Sequence, residues 1–302
     1  MTFGNATASR ARALGAALAL LPLLTAWLAC GGGGEWNNPA AGAQEIAPRE
    51  VAPGVLCRQG VLDRQGVPMR VWLYTPAMVE GSLPLVVIGP AGSDLITGMA
   101  LSEEDRPEHL PYAAAGLAVV SFDIDGGDTD GSVYAARRAF AGADFGVSNA
   151  RAALDYALAN EPRIDPARVY AAGHSSAATL ALAFAAHEPR VHAVAAFAPV
   201  ADLRAFLDDV QPYVGRSARA QAEAYSPIHI ASRIRVPVFL FDSTQDGVVD
   251  GPAVDRLWTA LPSNPASERM RVERGDHYGS MLDQGVPEAI RWLGGLTPTS
   301  PP

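Results

Sequence analysis

Three residues have the types and the spacing for nucleophilic chemistry. The run Gly173-His174-Ser175-Ser176-Ala177 sets a serine among small neighbours; Asp246 follows 71 residues on, and His277 a further 31. A serine hydroxyl attacks poorly unless an imidazole removes its proton and a carboxylate holds that imidazole in one tautomer. His277 is expected to take the Ser175 proton and later return it to the leaving group, with Asp246 fixing the tautomer. Asp242 is the second candidate for the acid, and Asp276 beside the histidine reads as a turn cap. The oxyanion formed by such an attack needs two backbone N–H donors. One is Ser176, directly after the nucleophile. The other belongs to Gly89-Pro90-Ala91-Gly92-Ser93, where proline has no N–H to give. That leaves Gly92 or Ala91, with Gly92 preferred for its place in the loop.

These residues work only if strands and helices hold them together. The serine lies between an apolar strand, Val169 to Ala172, and an alanine- and leucine-rich helix, Ser176 to His187. A sharp turn there exposes the hydroxyl, and bulk two residues before or after is expected to clash with neighbouring strands. The start of the helix points its positive end at the reaction centre. Asp246 follows the strand segment VPVFLF, and His277 follows RMRVE. Further strands read at 67–75, 85–88, 117–122 and 191–197, and helices at 149–160, 251–261 and 286–293; 111–115 is helix-compatible. Apolar strands alternating with helices imply an α/β fold with a mostly parallel sheet covered on both faces. Each step from Ser175 to Asp246 to His277 crosses whole strand–helix units, so all three open at one sheet edge. Residues 202–227 are either a short helical cap or an ordinary crossover.

Composition narrows the chemistry. The 302 residues are 49% apolar and 18% charged, enough for one large globular domain, placed at 49–295. All 23 basic residues are arginines. Without lysine there is no Schiff base, no Walker A or kinase lysine and no Ser-x-x-Lys pair. A net charge of −9 argues against nucleic-acid binding. No cofactor and no metal are expected. The histidines at 109, 174, 187, 192 and 229 lack metal-ligand spacing and read as structural. The acidic run 123–131 fails the calcium-loop template. As a loop beside the pocket it predicts a preference for neutral or cationic acyl substrates.

The ends read as targeting and tether. Residues 1–30 carry two arginines, an apolar stretch and then small residues, as an export signal does. Leu28-Ala29-Cys30 is similar to a bacterial lipoprotein box, making Cys30 the expected lipidation site. Cleavage near residue 31, or retention as an anchor, are the alternatives. Residues 31–48 read as a Gly/Pro/Ala tether and 296–302 as an unstructured tail. The expected location is the cell envelope, on a membrane through the lipid anchor. Cys57 reads as a half-buried structural thiol; if Cys30 stays unmodified, a Cys30–Cys57 disulfide is open.

From about Val55 to Leu293 the chain resembles the α/β-hydrolases, nearest the dienelactone-hydrolase and prolyl-oligopeptidase-like branch. GHSSA, Ser226-Pro227-Ile228-His229 ahead of VPVFLFDSTQDGVV, and GDHYG carry the resemblance. It implies a central sheet of about eight strands and an acyl-serine intermediate. The elbow ends in alanine, the nucleophile is serine where dienelactone hydrolases use cysteine, and no β-propeller precedes the domain. The function expected is an exported serine hydrolase of small-molecule carboxylic esters, with peptidase action on small peptides as a variant. A tethered binding protein that keeps the fold without turnover is the rival.

Overall fold

The computed structural model describes residues 46–64, 66–127, 132–210 and 215–297. The expected signal, Cys30, most of the tether and the last five residues lie outside these. Nine strands among the described residues form one sheet: β1 (Ile46–Ala52), β2 (Val55–Arg64), β3 (Val67–Pro76), β4 (Leu83–Ile88), β5 (Ala118–Phe122), β6 (Ile164–His174), β7 (Ala193–Phe197), β8 (Val238–Ser243) and β9 (Glu268–Val272). Their order across the sheet is β1-β2-β3-β5-β4-β6-β7-β8-β9. The pairings of β1 with β2, β2 with β3 and β3 with β5 are antiparallel, and the five from β5 through β9 are parallel.

The longer helices are α1 (Arg106–Ala114), α2 (Val133–Gly142), α3 (Val147–Asn160), α4 (Ser176–His187), α5 (Leu203–Val210), α6 (Arg216–Ala224), α7 (Gly251–Ala260) and α8 (Val286–Gly295). One apolar cluster packs α3, α4 and α7 onto one face of the sheet, and a second packs α1 and α8 onto the other. This two-sided cover explains why β5 and β7 are buried at every position. A strand with both faces covered cannot alternate with polar residues. Burying each such Val, Leu or Phe contributes about 1.5–3 kcal/mol.

The central strands and helices lie close to where the apolar runs put them. The segment around Cys57 reads as strand-like and is β2, whose bounds were hard to read because Arg58, Gln59, Gly60 and Asp63 make it a half-buried strand between β1 and β3. Residues 202–227 contain α5 and α6. Leu203, Leu207 and Ala222 pack against Leu95, Ile96 and Val200 in a small separate cluster. These helices therefore sit on the loop that follows β4. Cys57 is fully buried rather than half-buried, and burial pushes its thiol up to about 11. It is inert as a nucleophile.

Candidate active site

The turn at Ser175 is set by its backbone. Ser175 has φ 55° and ψ −119°, a conformation that L residues adopt only under constraint. Its N–H donates to Phe197 O at 2.9 Å, and its carbonyl accepts from Ala178 and Thr179 as α4 begins. A side-chain atom added at Gly173 would lie 2.4 Å from the Ala177 carbonyl. The space limit therefore comes from the start of α4 itself, and not from the neighbouring strands as the sequence suggested.

The loops after β8 and β9 bring Asp246 and His277 together. His277 Nδ1 and Asp246 Oδ2 are 2.8 Å apart. The other oxygen, Oδ1, accepts from Val248 N–H at 2.9 Å and Val249 N–H at 3.0 Å. Gly247, at φ 73°, lets the chain double back to make these bonds. Burial works against the Asp246 carboxylate, but the His277 bond and charge and the two amides outweigh it. Its pKa lies below the usual carboxylate range. Two hydroxyls lace the loops to each other: Ser243 Oγ donates to Gly275 O at 2.7 Å, and Thr244 Oγ1 to Glu273 O at 2.6 Å. Ser175 Oγ makes no hydrogen bond to another described residue. Catalytic contacts are often loose before substrate binds.

The other acids fall away from the chemistry. Asp242, the second candidate, is 2% exposed and held by Arg269 Nε at 3.0 Å and Arg271 Nε at 2.7 Å. Asp276 Oδ1 accepts from Ser280 N–H, as a turn cap does. Asp123 is gripped by Arg70 and the Leu101 N–H, and Asp125 by Arg64 and Asn149. Those two carboxylates are paired, while Asp128 and Asp130, on which the expected preference for neutral or cationic substrates also rests, lie outside the described residues. No group of three or more His, Cys, Asp or Glu able to hold a metal occurs among the described residues.

In the oxyanion region Ser176 starts α4, leaving its N–H free of the helix. Its hydroxyl accepts from Gly92 N–H and Ser93 N–H, both at 3.0 Å. The Gly92 amide is thus engaged, while the Ala91 N–H makes no hydrogen bond to a described residue. Beside Ser93 and Ser176 an apolar cleft opens, walled by Leu95, Phe140, Phe145, Leu203 and Tyr225.

One residue the sequence set aside belongs to this cluster. His174 contacts the His277 main chain and ring. Its place next to the serine was the available signal. Its buried partner Glu108, 66 residues earlier on α1, had none.

A parallel sheet with a strained serine elbow and an Asp–His pair at its carboxyl edge defines an α/β-hydrolase-fold serine hydrolase. The chain belongs to the prolyl oligopeptidase family, whose model matches residues 106–285, more than half of its length. No curated protein gives a sequence match to it. Among solved structures it is similar to an acetyl xylan esterase from Paenibacillus sp. R4, at 17% identity and TM-score 0.61, over 85% of this chain and 90% of that one. It is also similar to 2,6-dihydroxy-pseudo-oxynicotine hydrolase, at 20% identity and TM-score 0.61, over 82% of this chain and 70% of that one. Dipeptidyl peptidase 4 from Porphyromonas gingivalis matches at 16% identity and TM-score 0.60, over 80% of this chain but 36% of the larger one.

Proposed function

We propose that the protein cleaves a small carboxylic ester by acyl transfer through Ser175, His277 and Asp246. The observation that carries this reading is the 2.8 Å bond from His277 Nδ1 to Asp246, which orients the imidazole, in a chain whose Ser175 is held at φ 55°. With Nδ1 carrying the proton given to Asp246, Nε2 is left as the base. It takes the Ser175 proton as Oγ attacks the ester carbonyl. The new imidazolium is stabilised by the Asp246 carboxylate. The oxyanion is met by the Ser176 N–H and by Ala91, because the Gly92 amide is already spent on the Ser176 hydroxyl. His277 then protonates the leaving alkoxide, and a water deacylates the serine by the reverse sequence.

Peptide cleavage is the second reading, favoured by the match to the prolyl oligopeptidase family. An amide nitrogen is a poorer leaving group and depends more on protonation by His277. A binding protein without turnover is disfavoured by the intact Asp–His pair. The N-terminal segment supports export with a lipid on Cys30, which intact-mass measurement of membrane-extracted protein would reveal as a diacylglyceryl adduct.

Labelling of residues 46–302 with a fluorophosphonate tests the chemistry. An adduct on Ser175 that is lost in Ser175→Ala and His277→Ala is expected. Folded protein that takes no adduct would remove the hydrolase reading. A panel of acyl esters and short peptide amides then separates the two substrate classes.

A further inference from the structure

The imidazole of His174 lies between the base and a buried acid. His174 ends β6 immediately before the nucleophile and is 4% exposed. Its Nε2 is 2.9 Å from the carbonyl oxygen of His277. A carbonyl only accepts, so Nε2 is the nitrogen that carries hydrogen. The two rings lie 4.4 Å apart between centroids, tilted by 46°. The second nitrogen, Nδ1, is buried without a hydrogen bond and faces Glu108 Oε1 at 3.4 Å. Glu108 is itself 7% exposed, in the first turn of α1. A carboxylate so placed costs several kcal/mol unless a partner faces it.

We infer that Glu108 and His174 are positioning residues, a second acid–imidazole pair that holds the main chain of His277 where Asp246 holds its side chain. The inference rests on the hydrolase reading above. His277 lies in an irregular stretch between β9 and α8, where no ladder fixes the backbone. Among the described residues, the His174 bond is what holds the His277 carbonyl. Asp246 constrains the ring only relative to its own loop. The His174 bond ties the base to the strand that carries the nucleophile. Glu108 in turn faces Nδ1 of the His174 ring from α1, on the same side of the sheet as α8, and a proton between Oε1 and Nδ1 makes that contact attractive. The pair therefore fixes the distance between Ser175 and His277, which the Asp246–His277 bond alone does not.

The test uses His174→Leu, His174→Gln and Glu108→Gln in the full chain. Gln carries an amide N–H that can reach the His277 carbonyl; Leu cannot. With p-nitrophenyl acetate, His174→Leu is expected to lower kcat by roughly 10- to 100-fold with KM within twofold, the scale for a displaced catalytic group. His174→Gln is expected to recover most of that loss, and Glu108→Gln to fall between. A second readout does not need turnover. The strongly deshielded proton of the Asp246–His277 bond, identified by its loss in Asp246→Asn, should broaden in His174→Leu and sharpen again in His174→Gln. Equal kcat in all variants with an unchanged resonance would overturn the inference. So would losses in Leu and Gln alike that follow only the folded fraction on thermal melting. If the unsubstituted chain neither labels nor turns over, the hydrolase reading falls instead, and the resonance in the folded variants decides the clamp by itself.

Discussion

Ser175 stores strain that its role requires. At φ 55° an L side chain costs about 1 kcal/mol or more, and glycine removes that cost. Ser175→Gly is therefore expected to melt higher than Ser175→Ala, by about 1 kcal/mol in chemical denaturation, while both are inactive. Equal stabilities would show that the elbow is relaxed. The two acids separate by the same kind of test. Asp246→Asn leaves packing intact but disturbs the tautomer, and kcat is expected to fall by about 10³–10⁴-fold, the scale of that defect in serine triads. Asp242→Asn leaves Arg269 and Arg271 with Asp255 as their carboxylate partner, costing about 1–3 kcal/mol, with kcat per folded molecule unchanged. Inverted results would reassign the acid. At this scale the Ser175 turn and the Asp246–His277 contact were legible, because each of these residues follows a strand. The Asp242 ion pairs were not, since Arg269 and Arg271 lie on a different strand and only the β8–β9 pairing brings them near.

The elements hold the site through loops rather than through the sheet alone. The loop after β4 carries Ala91, proposed above as one oxyanion donor, and is pressed from outside by α5 and α6. Leu207, fully buried in that contact, is the side chain on which the seating depends most. Leu207→Ala is expected to cost about 2–4 kcal/mol of local stability and to speed amide hydrogen exchange at residues 92–97. Unchanged protection there would mean that α5 and α6 merely cross over the sheet. Sequence left both readings of 202–227 open because its apolar residues fit any covered helix. The choice came from Leu95 and Ile96, which meet Leu203 and Leu207 only in three dimensions.

The molecule as a whole is most sensitive to acid where arginines hold carboxylates. Glu188 closes α4 and receives Arg190 and Arg151. Burial raises its pKa, but the arginine hydrogen bonds and charge win and bring it to about 2. The folded pKa is thus depressed below the unfolded value near 4.5. Its stabilisation is complete above that value and is lost as pH falls through about 4.5 towards about 2. Compared with Glu188→Gln, the unsubstituted chain is expected to be more stable by about 2 kcal/mol at pH 6–7, discounting the shift for partly exposed arginines. That difference should shrink below pH 4. A difference that stays constant between pH 3 and 7 would show that the ion pairs contribute nothing.

Sequence alone determined the fold class and the order of the site. Short apolar runs between helices read as strands covered on both faces, and an acid and a histidine placed after two of them meet at one edge. It also determined what chemistry is absent, since a chain without lysine cannot form a Schiff base. Tertiary structure alone decided the contacts across the sheet. Whether Asp242 serves the base or two arginines, whether Gly92 or Ala91 keeps a free amide, and whether His174 touches His277 all depend on which strands lie side by side. Spacing along the chain carries no record of that, because the residues concerned are brought together by packing between segments as far apart as Glu108 and His277.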